Sequence, residues 1–150
     1  AEQGGLRGYD AGKHVVGRKR HLLVDTLGLI LEVVVTSAAI QDRDGGRSLL
    51  ECLRHSWSRL RRVWADGGYA GELVAWVWRL RPQGRVHLDI VKRSDHTRGF
   101  RVLPKRWIVE RTFGWLMKFR RLRSDYERLT AHSRAMVQLA MINIILRRVH

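Results

Sequence analysis

Two acidic residues, Asp66 and Glu110, stand where a carboxylate can do chemistry as well as carry charge. Asp66 closes the short apolar run Arg62-Val63-Trp64-Ala65 and is followed at once by Gly67-Gly68, which puts it where a strand ends in a glycine turn. Glu110 lies within Trp107-Ile108-Val109-Glu110-Arg111-Thr112-Phe113-Gly114-Trp115, whose apolar residues recur at helical spacing in a basic stretch. Phosphoryl transfer on a polyanion needs acids of this kind, distant in sequence and set in a cationic surround. Two divalent cations about 4 Å apart stabilise the attacking and leaving oxygens, and hard cations take carboxylate oxygens. Each acid also has a plainer use. Asp66 can start a turn by bonding to nearby backbone, and Glu110 can pair with Arg106 or Arg111 in a surface contact worth about 0.5 kcal/mol. Asp89, within a strand, and Asp95, in a loop, read as structural or solvated.

The surround is strongly cationic: 29 Lys+Arg against 14 Asp+Glu give a net charge of +15. A compact fold with that charge repels itself unless a polyanion relieves it, so nucleic acid is the first partner to consider. A membrane surface is the second, yet no apolar run approaches the roughly 20 residues needed to span, and no signal-peptide pattern opens the sequence. A soluble, cytoplasmic protein is expected. Arg18, Lys19 and Arg20 form one basic group and Arg59, Arg61 and Arg62 another. Arg106 and Arg111 flank Glu110, and Lys118, Arg120, Arg121 and Arg123 follow it. These are the candidates for contact with a DNA backbone, although charge runs are usually solvated faces. The single cysteine, Cys52, excludes a disulfide within the chain and is expected to be a core thiol. Trp76, Trp78 and Trp115 are expected in the core. The seven histidines show no zinc spacing, and no Ser, His and acid arrangement stands out.

What must position Asp66 and Glu110 is an alternation of strands and helices. Residues 1–17 hold Gly4, Gly5, Gly8, Gly12 and Gly17 and few apolar residues, so a loop-like lead-in is expected, with an ordered domain over 18–150. Arg18 to Asp25 and Leu29 to Val35 read as a hairpin around Asp25 to Gly28. The run Val33-Val34-Val35 fits a strand covered on both faces. Leu49, Leu53, Trp57 and Leu60 then recur at helical spacing behind Asp42 and Asp44, either of which can cap. A strand to Asp66, a helix over 72–80, a strand over 86–91, a basic helix over about 104–123 and a largely buried closing helix over 131–149 complete the order. That order describes an α/β fold with helices on both faces of a mixed sheet, partly antiparallel at its edge. It is the layout of an RNase H-like fold after its first strand.

Three stretches resemble the DDE transposases of bacterial insertion sequences. The first is Gly8-Tyr9-Asp10-Ala11-Gly12-Lys13 with Gly17-Arg18-Lys19-Arg20-His21 and Val24-Asp25-Thr26-Leu27-Gly28. The second is Ala65-Asp66-Gly67-Gly68-Tyr69, and the third is the segment around Glu110. With Gln41-Asp42-Arg43-Asp44-Gly45 and the closing helix, the likeness runs from about residue 8 to the end. The resemblance implies an RNase H-like catalytic domain in which Asp66 and Glu110 are the second and third metal-holding acids, with Mg²⁺ or Mn²⁺ as cofactor and DNA as partner. The first acid of the family has no counterpart here, since neither Asp10 nor Asp25 matches it. It is expected on an opening strand upstream of residue 1, so the cofactor is expected only at the complete site and this chain alone is not expected to cleave DNA. A subgroup of the family carries a Tyr, Arg, Glu, Lys signature. Here Arg106 stands at the Arg position, but Leu103 replaces the Tyr, and Met117 replaces the Lys with Lys118 beside it. Three partners besides metal are open: DNA, a second copy pairing through an exposed sheet edge, and an upstream transposase fragment that supplies the missing strand. A non-catalytic basic nucleic-acid-binding module is the alternative function.

Overall fold

The computed structural model describes residues 5–12, 14–53, 59–79, 86–91 and 105–149. Strands β1 (Gly8–Asp10), β2 (Val15–Val24) and β3 (Ile30–Ser37) form one antiparallel sheet in that order. Helix α1 (Asp42–Cys52) leads to β4 (Arg62–Asp66), a 3-10 turn at Gly67–Tyr69 and helix α2 (Glu72–Arg79). Strand β5 (His87–Val91) pairs in parallel with β4, and helices α3 (Arg106–Leu116) and α4 (Thr130–Val149) follow.

The β2–β3 hairpin is the centre of the molecule. Asp25 accepts bonds from the backbone of Leu27 and Leu29, both at 2.8 Å, and Gly28 takes φ +84°, so the Asp25-to-Gly28 turn is built by side-chain bonding and a left-handed glycine. Because strand residues alternate faces, the cross-strand pair Leu22 and Val33 points to one side and the pair His21 and Val34 to the other. Leu22 and Val33 pack with Leu116, Leu122, Val137 and Ala140, below α3 and α4. Val34 and Leu23 pack with Leu49, Leu50, Leu73 and Val77, below α1 and α2. Both faces are covered, as the unbroken valine run required.

Several expectations need correction. The glycine-rich lead-in is partly strand: Gly8 pairs with Gly17, and a Cβ at Gly8 would come within 2.7 Å of Ala39, so the glycine serves a close approach. Among the described residues the strands form two sheets, not one continuous mixed sheet. The α1 N-cap is Gln41, with no side-chain cap bond, and Asp42 and Asp44 sit in the first turn against the positive end of the helix dipole. Trp57, like Asp95, Leu103 and Pro104, lies outside the described residues. The basic helix stops at Leu116, and a separate 3-10 turn holds Arg120–Leu122. Cys52 is exposed at the end of α1, and Trp78 is exposed and meets His87 edge-on. The closing helix buries Ser133, Val137, Ala140 and Met141 but leaves Leu139, Ile142, Leu146 and Val149 exposed. Dense apolar composition masked that one-sided burial. No described helix is long and apolar enough to cross a membrane.

Candidate functional site

Asp66 ends β4 in extended backbone, and its Oδ1 accepts a bond from the Gly68 amide at 3.0 Å. The strand therefore delivers the carboxylate to a turn that fixes one of its oxygens, while the residue stays exposed. Glu110 lies on the exposed side of α3, with its side chain 62% accessible and an ion pair to Arg106 at 3.2 Å. Such an exposed pair stabilises the helix by tenths of a kcal/mol at most, so the carboxylate can be redirected to a stronger partner.

Asp66 and Glu110 line one cavity of about 620 Å³. Arg20, Arg59, Arg61, Arg62, Lys105 and Arg106 line it too, so a cationic rim faces both acids. The cavity runs along strand edges. Leu22, Leu23 and Val24 of β2 all border it, as does every residue of β4 from Arg62 to Asp66. Consecutive strand residues point to opposite faces, so only a space beside the strands can touch all of them. Among the described residues β4 is paired with β5 alone, leaving its other edge toward this space.

Asp42, at the start of α1, comes close to Asp66 from the other side. A Cβ on Gly68 would stand 2.8 Å from the Asp42 carboxylate and 3.3 Å from that of Asp66. Asp42 is bonded to Lys19, whose ammonium lies 3.2 Å from Asp42, 3.2 Å from Asp10 and 3.0 Å from the Ile40 carbonyl oxygen. Burial alone would lower the Lys19 pKa, but the bonds and charges of Asp42 and Asp10 outweigh it and hold the pKa above its ordinary value. Tyr69 lies between these groups. Burial chiefly, and then the negative charges of Asp42 and Asp66, push its pKa far above the ordinary phenol value. Among the described residues, no three His, Cys, Asp or Glu side chains converge as a metal site.

The basic candidates divide sharply. The Arg18 side chain is only 4% exposed and is occupied by Asp125 at 3.1 Å and by the carbonyls of Leu6, Glu127 and Arg128. Arg20 donates to the Leu122 carbonyl at 2.7 Å, and its burial lowers its pKa against the opposing effect of Asp125. With Lys19 held as above, each of the three cations of β2 is bonded to carboxylates or carbonyls of the chain itself. Arg111 is likewise occupied. Its guanidinium lies over Trp107 and Trp115 and donates to the Leu27 carbonyl at 2.8 Å. Arg106 pairs with Glu110, and Arg121 pairs with Glu127 at 2.7 Å. Lys118 and Arg120 are exposed. Sequence reading overlooked Lys105, which stands over the Trp64 ring in the cavity wall, and the internal pair His21 and Tyr69. The signal that could have found that pair is Gly45-Gly46 in the first turns of α1, because two glycines opening a helix imply a close neighbour.

A family model described as a transposase DDE domain matches residues 1–145. A Burkholderia cepacia protein, whose curated name is that of a transposase for insertion sequence element IS402, is 35% identical over 120 residues. That alignment takes in 75% of this chain and 54% of the relative, so the chain spans about half the length of the curated relative it matches. No solved structure matches.

Proposed function

The chain belongs to the transposase DDE family, and we propose that Asp66 and Glu110 are two acids of a phosphoryl-transfer site that cuts and joins DNA. The observation that carries this reading is their shared cavity: two carboxylates distant in sequence border one space beneath a cationic rim. Family membership implies a divalent ion. Two carboxylates are a poor set for one, since Mg²⁺ gives up water reluctantly and wants near-ideal oxygen ligands, and the described residues supply no third. The described residues do not by themselves make a site for Mg²⁺ or Mn²⁺, and the chain alone is not expected to cleave DNA.

The third acid comes, in this reading, from an extended upstream segment of the transposase that docks between β2 and β4. Support lies in the edge-facing cavity, since a strand laid there would bond to β2 on one side and β4 on the other. The result would be a single RNase H-like mixed sheet. DNA phosphates would then meet the exposed cations of the rim, Arg59, Arg61 and Lys105, and the exposed Lys118 and Arg120 on the segment after α3.

The test is strand cleavage of insertion-sequence-end DNA by the protein with its upstream segment present and Mg²⁺ or Mn²⁺ added. Asp66→Asn and Glu110→Gln should each abolish cleavage while leaving DNA binding intact. Full cleavage by either variant would overturn the assignment, leaving a basic nucleic-acid-binding module. Asp66-dependent cleavage by the 150-residue chain alone would overturn the need for a third acid.

A further inference from the structure

Asp66 and Glu110 lie on separate elements, and each element is clamped to the β2–β3 hairpin a short way beyond its acid. Three residues after Asp66, the Tyr69 hydroxyl bonds to Nδ1 of His21 on β2 at 3.0 Å. His21 is 2% exposed, and its Nε2 is held by the Thr36 hydroxyl of β3 at 3.0 Å. Both ring nitrogens are engaged, so the ring cannot turn without losing a bond. Helix α1 closes over the pair through glycines. A Cβ at Gly45 would overlap the His21 ring, and one at Gly46 would stand 2.7 Å from the Tyr69 ring. Two residues after Glu110, Thr112 is fully buried and its hydroxyl donates to the Gly28 carbonyl in the hairpin turn at 2.7 Å, with the Ile108 carbonyl of its own helix at 3.1 Å. Arg111 adds its bond to Leu27, and Trp115 closes against Gly28, where a Cβ would come within 3.0 Å.

We propose that the β2–β3 hairpin is the gauge that fixes the spacing of Asp66 and Glu110, with Tyr69, through His21, and Thr112 as positioning residues at its two clamps. The proposal rests on the reading of the two acids as one site, and deepens it. Neither clamp touches a reacting group. Each sets where a carboxylate oxygen stands, and an error of about 1 Å in such a position costs up to about a hundredfold in rate.

The separation of the two positions can be read without activity. With Cys52 replaced by serine, spin labels on Asp66→Cys and Glu110→Cys should give one narrow distance distribution by pulsed electron resonance. Tyr69→Phe and Thr112→Val, each close to isosteric, should shift or broaden it, while the exposed control Tyr126→Phe should not. Melting curves identify a variant that fails to fold, and the other clamp variant then carries the test. A broad distribution in the labelled parent, or an unchanged narrow one in the folded clamp variants, overturns the proposal. In the cleavage-competent protein, the same variants should lower the rate at saturating DNA by roughly tenfold to a hundredfold with DNA affinity unchanged. Loss of affinity at an unchanged saturated rate would contradict a positioning role. If distances respond as predicted but no cleavage is ever observed, the gauge stands and the proposed function falls.

Discussion

Replacing Gly45 with alanine should destabilise this protein, although alanine is the better helix former. Inside a helix the exchange ordinarily gains about 1 kcal/mol, by lowering the entropy of the unfolded chain and restoring helix propensity. Here the new methyl would overlap the His21 ring, reaching 2.6 Å from its Cδ2. The ring is nearly sealed from solvent and held at both nitrogens, by Tyr69 and Thr36. Overpacking costs about 1–3 kcal/mol, and displacing the ring forfeits one or two bonds worth about 1 kcal/mol each. The net is a loss of about 2 kcal/mol, which for a chain of this size lowers the melting temperature by roughly 4–8 °C. Gly114→Ala is the matched control. It lies in α3, where an added methyl would have nothing within 4 Å, so it should raise stability by about 0.5–1 kcal/mol. Thermal and urea melts of both variants, followed by circular dichroism, decide the matter. A Gly45→Ala protein as stable as the parent would show that α1 does not close on His21 as described.

Other perturbations separate the cations bonded within the chain from those proposed to meet DNA. Arg18→Ala removes a side chain bonded to Asp125 and three carbonyls and should cost about 2–3 kcal/mol in a urea melt, with a DNA-binding salt slope like the parent's. Lys118→Ala with Arg120→Ala should leave the melt unchanged and flatten the slope of log K against log salt by about one for each phosphate no longer neutralised; an unchanged slope removes both from the interface. The Tyr69 phenol stays neutral in the folded chain well above its ordinary value of 10.0, whereas in the unfolded chain it ionises near that value. Ionisation of the unfolded state therefore draws stability away as pH rises past 10. Tyr69→Phe should lose part of this alkaline sensitivity, and identical profiles of stability on the alkaline side of the phenol's ordinary value would contradict the burial of that hydroxyl.

The parts of this fold that could be read from sequence were those whose residues carry a local signal. Asp25 to Gly28 announced a turn, the apolar run before Asp66 announced a strand, and the acid came out at that strand's end. Glu110 was placed on a helix because Trp107, Ile108 and Phe113 recur at its period. What could not be read depends on partners far along the chain. Arg18 and Arg20 look like a basic surface until the carbonyls of Glu127 and Leu122 are seen to receive them. Strand β1 was hidden because Gly8 and Asp10 lack the β-branched character that marks strands, and the close packing at Gly8 accounts for a glycine there. The exposed face of α4 was invisible for a related reason: composition counts apolar residues and is silent on which ones meet a neighbour.

The most direct measurement of the central claim is a double-mutant cycle on strand cleavage, using Asp66→Asn, Glu110→Gln and the two together in the protein with its upstream segment and Mn²⁺ present. Two acids that serve one site act as a unit, so each single loss should nearly equal the loss in the double variant. Losses that multiply as independent factors, or a single variant that cuts like the parent, would mean that the carboxylates of Asp66 and Glu110 do not work together.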